Sequence, residues 1–349
     1  MGLNESSISR IGASGAVQDS RGRGLRDLRI SVIDRCNFRC PYCMPTEIYG
    51  EAHKFLPRSK WLTAGEIRRV AGVFQGLGVN KVRITGGEPL LRKDLDEIIS
   101  GLAALEGIED IALTTNGSRL AERARELKKA GLGRITVSVD SIDAEVFASM
   151  SGGRGDLNVT LAGIEAASNA GFEAVKINVA VLKGQNDQSV LDLVEFFRGS
   201  GVIVRFIEYM DVGTLNGWRP DQVVASRVLR DRIHAHWPLE SLEQNYRGEV
   251  AKRYTFADGH GEIGFISSVT EPFCGDCHRA RISAEGMLYT CLFANTGTDL
   301  RGPLRAGASD ADLVALLQGV WRDRTDRYSE IRGESIKASD RVEMYRIGG

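Results

Sequence analysis

No stretch of this chain approaches the roughly 18 consecutive apolar residues of a membrane-spanning helix, which argues against an α-helical membrane protein. An excess of either charge is missing too. Forty-five Lys and Arg stand against 46 Asp and Glu, a formal net charge of −1. So balanced a chain has no broad electrostatic hold on nucleic acid or on an anionic membrane. Any anionic ligand must be gripped by basic side chains gathered locally. No short-period repeat is present, which excludes solenoids and propellers. Residues 1–24 are rich in Gly, Ser and Arg and lack the apolar core of a secretory signal. They are expected to form a flexible N-terminal tail on a cytoplasmic protein. Cysteine is scarce: there are six, and none lies outside the groups Cys36/Cys40/Cys43 and Cys274/Cys277/Cys291. In the reducing cytosol such cysteines are more often ligands than disulfides.

The first group, CNFRCPYC at residues 36–43, has the spacing C-x3-C-x2-C. Structural zinc sites usually want four protein ligands, and a cubane iron–sulfur cluster normally takes four thiolates. Three local thiols with no obvious fourth leave one iron without a protein ligand. An open metal position is where a substrate can bind. A small zinc knot is the competing reading.

The 349 residues are 42% hydrophobic, enough for a large core. Alternation predicts strands at 27–33, 81–85, 110–114, 134–140, 174–181 and 202–208. Between them the pattern predicts helices at 63–77, 94–105, 120–130, 157–170 and 189–198, the first opened by a Thr63/Glu66 capping box. Strand–helix alternation implies a parallel sheet with crossover helices. Six units are too few for a closed eight-fold barrel, so the expected fold is α/β, an incomplete (β/α)6 TIM-like barrel spanning residues 25–240. Residues 241–349 carry short, glycine-interrupted strand patterns at 246–256, 262–269, 280–283 and 288–292 and a helix at 310–322. They are expected to form a C-terminal antiparallel/α extension that closes the lumen.

Each barrel strand has one apolar face, such as Val82 and Ile84, and one polar face, such as Lys81, Arg83 and Thr85. The helices must cover the apolar faces, so the polar ones point inward. A closed barrel fills its interior with branched apolar side chains; a polar interior implies a wide lumen holding a polar ligand. Arg29, Lys81, Arg83 and Lys176 together suit a polyanion such as phosphates. The alternative is that they are charged strand ends in solvent. Gly86-Gly-Glu-Pro89, Thr114 and Ser138 all fall at the C-terminal edge of strands, where ligands bind in such folds. Tyr42 reads equally well as a packing residue, and a methionine at the position of Met210 is more often core packing than a ligand contact.

The second group has the spacing C-x2-C-x13-C, and a hairpin turning at Glu285–Gly286 would return Cys291 to the pair. Three readings compete: a c-type haem motif at Cys274 to His278, a zinc site completed by His278, and a second cluster with an open iron. Arg279 and Arg281 alternate on the strand leaving this site, so both can face the lumen.

The cysteine loop followed by Gly-Gly-Glu-Pro resembles the radical S-adenosylmethionine superfamily. Further runs narrow the resemblance: DLRISV at 27–32, RITGGEPL at 83–90, LTTNG at 113–117, RFIE at 205–208, FCGDCHRAR at 273–281 and the closing Gly348-Gly349. These are similar to the GTP 3′,8-cyclase family, the molybdenum cofactor biosynthesis protein A group. One departure is Ile33, where that family would lead us to expect Thr. The resemblance implies two [4Fe-4S] clusters, on Cys36/Cys40/Cys43 and Cys274/Cys277/Cys291, with S-adenosyl-L-methionine as the other cofactor. It implies that Tyr42, Gly87, Ser138 and Met210 line that cofactor. It implies that Arg29, Lys81, Arg83, Thr114, Lys176, Arg279 and Arg281 meet GTP. The implied reaction is radical cyclisation of GTP to 3′,8-cyclo-7,8-dihydro-GTP, the first step of molybdenum cofactor biosynthesis, with the Gly-Gly tail entering the site. Implied partners are a reductant such as flavodoxin or ferredoxin and the next pterin-forming enzyme, and a homodimer is compatible. Two rival readings stay open: a peptide maturase with an auxiliary cluster, and a non-enzymatic metal-binding scaffold.

Overall fold

The computed structural model describes residues 17–332 and 341–348. Six parallel strands succeed one another in sequence and in space. They are β1 (Asp27–Ser31), β2 (Lys81–Thr85), β3 (Asp110–Thr115), β4 (Arg134–Ser138), β5 (Ala174–Val181) and β6 (Ile203–Glu208). Helices α1 (Ala64–Gly76), α2 (Leu95–Ala103), α3 (Leu120–Lys129), α4 (Ala144–Met150), α5 (Leu157–Asn169) and α6 (Val190–Phe197) make the crossovers. The apolar strand faces are where the helices pack: Val82, Ile84, Ile135, Val137 and Ile177 are each 0% exposed. The expected capping box is present, with Thr63 Oγ1 accepting from Glu66 N at 3.1 Å and Glu66 Oε2 accepting from Thr63 N at 2.8 Å. Helix α4 is an addition to the expected elements. Its seven residues are too few to establish a period, and Asp143, which caps the amides of Glu145 and Val146, is the local signal for it.

The C-terminal region forms the expected antiparallel and helical extension, split into two ribbons that each join the core through a parallel strand. After α7 (Ser226–His236) come β7 (Leu239–Leu242), β8 (Lys252–Phe256), β9 (Glu262–Ile266), β10 (Arg279–Ile282), β11 (Met287–Tyr289) and β12 (Thr298–Asp299). Helices α8 (Arg301–Arg305), α9 (Asp310–Arg322) and α10 (Met344–Ile347) complete it. The sheet runs β12-β11-β10-β1-β2-β3-β4-β5-β6-β9-β8-β7. Strand β9 lies parallel to β6 and β10 lies parallel to β1. The six-strand core is thus widened to eight parallel strands, with antiparallel ribbons outside them. Both core edges would otherwise expose unpaired backbone groups, and one C-terminal stretch covers both. The sheet stays open.

Residues 17–24 depart from the expected tail. Val17 is buried and bonded through its amide to the Leu77 carbonyl, Gln18 bridges Gly24, and the Asp19–Arg23 ion pair is buried. Residues 1–16, the rest of that expectation, lie outside the described residues. Among the described residues, no helix is long and apolar enough to cross a membrane.

Candidate active site

Two cavities meet at Thr114: the smaller opens at the C-terminal edge of the sheet, and the larger is lined by residues that start strands, among them Asp27, Lys81, Arg134 and Arg279. The larger is strongly basic. Ten Lys and Arg line it against three carboxylates, in a chain whose formal net charge is −1. Arg29, Lys81, Arg83, Lys176, Arg279 and Arg281 all reach it, as the strand alternation predicts. Register explains the gathering: Arg29 pairs with Arg83 on one side and Arg281 on the other, so three guanidiniums stand abreast on neighbouring strands. Among the described residues no carboxylate forms an ion pair with any of the three, although the charge of Asp27 acts on Arg29 and Arg281. Burial, and then Arg281 and Arg83, hold Arg29 well below its ordinary range. Burial, Arg205 and Arg134 bring Lys176 down to about 8. Burial and Arg279 bring Arg281 to about 10. The Nε atoms of Arg29, Arg83, Arg205 and Arg279 are buried with no hydrogen-bond partner among the described residues. Buried unpaired donors are costly, and a polyanion would satisfy them.

The smaller cavity is walled by Cys36, Cys40 and Cys43 together with Tyr42, Gly87 and Ser138. The Gly-Gly-Glu-Pro segment is stitched to the cysteine loop. Gly87 N donates to Ile33 O at 2.6 Å and Glu88 N to Arg35 O at 2.7 Å. Glu88 is buried, and its carboxylate accepts from Leu90 N, Thr115 Oγ1 and Asn116 N. Burial still pushes it up to about 7. Tyr42 donates to Asp140 Oδ2 at 2.7 Å, and burial raises Asp140 to about 6. Met210, expected to line S-adenosylmethionine, stands on the wall of the basic cavity. Tyr345 of α10 packs on Tyr49, with ring centroids 5.1 Å apart, and forms part of the thiol cavity's wall.

Cys274, Cys277 and Cys291 lie on the wall of the basic cavity, brought together by the expected hairpin at Glu285–Gly286. Burial works against ionising Cys277, but Arg279 and Arg324 prevail and hold it at about 6. Their guanidiniums lie 3.3 and 3.2 Å from its sulfur. The other thiols differ. Burial and Glu88 push Cys36 up to about 12; burial and Asp326 do the same to Cys291. Burial also raises Cys40 and Cys43.

All six cysteines are free. Among the described residues no three Cys, His, Asp or Glu side chains converge on a single metal ion. Each triplet instead borders an open volume, and this donor set fits a larger iron–sulfur group better than one zinc ion. His278 is engaged elsewhere: its Nδ1 lies 3.2 Å from Asp276 O.

Sequence reasoning missed Arg134 and Arg205 in the basic cavity and Asn116 in the thiol cavity. Arg205 obeys the same alternation as its neighbours and could have been found. Its Nη2 donates to Thr136 Oγ1 at 3.2 Å. Asn116 lies in the LTTNG run, which could have pointed to it; it is placed by donating to Asn37 Oδ1 at 2.9 Å, within the cysteine loop.

The Radical SAM superfamily model matches residues 30–197 and the Molybdenum Cofactor Synthesis C model residues 202–330. A curated GTP 3′,8-cyclase of Xanthomonas campestris is 54% identical over 333 residues, covering 95% of this chain and 97% of that protein. Those of Acidothermus cellulolyticus and Staphylococcus carnosus are 51% and 45% identical, over 90% and 95% of this chain and 88% and 99% of theirs. Streptococcus suis SuiB, solved with S-adenosylmethionine bound, aligns with a TM-score of 0.62 over 97% of this chain and 80% of its own. At 14% identity that likeness speaks for the fold alone.

Proposed function

Since the chain belongs to the GTP 3′,8-cyclase family, within the radical S-adenosylmethionine superfamily, we propose that it cyclises GTP to 3′,8-cyclo-7,8-dihydro-GTP, the first step of molybdenum cofactor biosynthesis. One observation carries the reading. A thiol-lined cavity and a basic cavity bearing three further thiols meet at Thr114.

Cys36, Cys40 and Cys43 would hold one [4Fe-4S] cluster, and Cys274, Cys277 and Cys291 a second. With S-adenosylmethionine, these groups supply the radical chemistry. The chain supplies position. Tyr42, Gly87 and Ser138 give the thiol cavity a wall for the cofactor. Arg29, Lys81, Arg83, Lys176 and Arg205 present charge to a triphosphate, and the unpaired Nε–H groups of the three arginines give it direction. Arg279 and Arg281, beside the second triplet, suit the nucleoside end. Tyr345 and Met344 roof the thiol cavity and keep water from a reactive centre. Gly348 reaches Arg281, which donates to the Ile347 and Gly348 carbonyls; Gly349 lies outside the described residues. A one-electron donor such as flavodoxin or ferredoxin, and the next pterin-forming enzyme, complete the proposed partners. Six unpaired thiols suit a cytoplasmic setting.

The test is anaerobic reconstitution with iron and sulfide, then S-adenosylmethionine, a reductant and each nucleoside triphosphate in turn. Deoxyadenosine and a cyclised nucleotide are expected with GTP alone. Equal turnover with every nucleotide, or none with GTP, would overturn the assignment.

A further inference from the structure

The loop after β6 carries an aspartate that borders neither cavity. Asp211 is 8% exposed and bonds two separate stretches of the C-terminal chain. Its Oδ1 accepts from Arg332 Nε at 2.9 Å, and its Oδ2 accepts from Arg341 Nη1 at 2.9 Å and from the Tyr328 hydroxyl. Its main-chain carbonyl takes a further bond from Arg341 Nη1 at 2.6 Å. Both guanidiniums are nearly buried, with side chains 12% and 8% exposed. They also lie over aromatic rings: Arg341 is 4.6 Å from the Tyr328 centroid and Arg332 is 5.4 Å from that of Phe293. Tyr328 and Phe293 stack at 4.4 Å. One carboxylate is thus the common counter-ion of two cations, and no other carboxylate pairs with either among the described residues.

The chain beyond Arg341 gives this node its consequence. Glu343 Oε1 accepts from Thr214 N at 2.9 Å, so the next contact is again with the β6 loop. Tyr345 then packs against Tyr49 beside the first cysteines, and Gly348 ends on Arg281. Residues 341–348 run from Asp211 past the thiol cavity to the basic cavity. A shift at Arg341 would displace everything downstream.

We infer that Asp211 is a positioning residue that fixes where residues 341–348 lie, and through them the seating of Tyr345 over the thiol cavity and the orientation of Arg281 in the basic one. It acts without touching cofactor or nucleotide. Tyr328 and the two guanidiniums need a buried anion between them, and unpaired buried cations are strongly destabilising. In its absence the segment loses the ionic anchor at its start and keeps Val342 on the Ala294 carbonyl, Glu343 on Thr214, the Tyr345 packing, Arg346 with Glu285, and Arg281. The inference deepens the proposed function and rests on that reading of the two cavities.

Hydrogen–deuterium exchange on the full-length protein, before cluster loading, tests the placement apart from the chemistry. In Asp211→Asn, amides of 341–348 should exchange at least tenfold faster than in wild type, while those of α7 stay unchanged. In the reconstituted enzyme, the ratio of cyclised nucleotide to deoxyadenosine should fall at least threefold. Arg341→Lys, which keeps a cation beside Asp211, should depart from wild type by less in both readouts. Unchanged exchange at 341–348 in Asp211→Asn would overturn the inference, as would uniform acceleration that includes α7. Should Asp211→Asn fail to fold, Arg341→Gln gives the same comparison. If wild type makes no cyclised product from GTP, the proposed function falls, and the exchange result still decides whether Asp211 places the segment.

Discussion

Gly87 and Arg35 touch through their backbones: a Cβ on Gly87 would stand 2.2 Å from the Arg35 carbonyl oxygen and 2.9 Å from the Cys36 amide. The glycine is therefore a packing requirement of the cysteine loop. It lets the strand-end segment close on the loop whose thiols face the cavity. Gly87→Ala should force the two apart, at a cost of about 1–3 kcal/mol typical of overpacking. A thermal melt of the metal-free protein should show the loss, and S-adenosylmethionine binding after reconstitution should weaken. An unchanged melt together with unchanged binding would contradict this contact.

The two triplets should be separable. Cys36→Ala should abolish deoxyadenosine formation. Cys274→Ala should spare some uncoupled cleavage yet lose the cyclised product. In each case iron should fall by about four per chain, the content of one cubane, as measured by metal analysis of the reconstituted protein. Full cyclisation by Cys274→Ala would refute a substrate role for the second triplet.

Arg205, which opens the RFIE run, should matter to nucleotide binding. It is 9% exposed, and burial, then Arg83 and Arg134, lower it to about 9. A hydrogen bond to a charged group contributes about 1.5–3 kcal/mol, so Arg205→Ala should raise the KM for GTP roughly ten- to hundredfold. Arg205→Lys should recover only part, because it lacks the unpaired Nε–H. A KM within about twofold of wild type for Arg205→Ala, an energy well under that of one such bond, would exclude it as a phosphate contact.

Lys176 gives the affinity a pH dependence. With its free-state value near 8, it is largely charged at pH 7 and largely neutral at pH 9. A bound triphosphate favours the charged form and raises the value. Binding therefore takes up a proton, and affinity falls as pH rises above about 8, by at most about tenfold per unit for one group. Calorimetric titration of the nucleotide from pH 7 to 9 should show this loss. In Lys176→Arg the same range should be flatter, and an equally steep fall there would assign the effect to another group.

The parts of the site that repeat with the chain's own geometry are legible in the sequence. Alternation along β1, β2 and β5 places Arg29, Arg83 and Lys176 in the lumen, because side chains on a strand must alternate between faces. Arg205 obeys the same rule on β6, although its motif, RFIE, draws the eye to family likeness first. Met210 lies past the end of β6, where no period holds, and the structure sets it in the basic cavity. Residues 17–24 look like a tail because their composition is polar. Their burial comes from contacts with Leu77 and with Arg324, far along the chain.

By itself the sequence determined the six strand–helix units, the two cysteine triplets and the cationic faces, since each arises from local spacing. Only the tertiary structure decided that β9 and β10 join opposite edges of the core and that Asp211 gathers Arg332 and Arg341. Both depend on pairing between residues distant in sequence. Such pairing is chosen by which unpaired backbone edges and buried charges remain once the local elements have packed, and no local pattern encodes it.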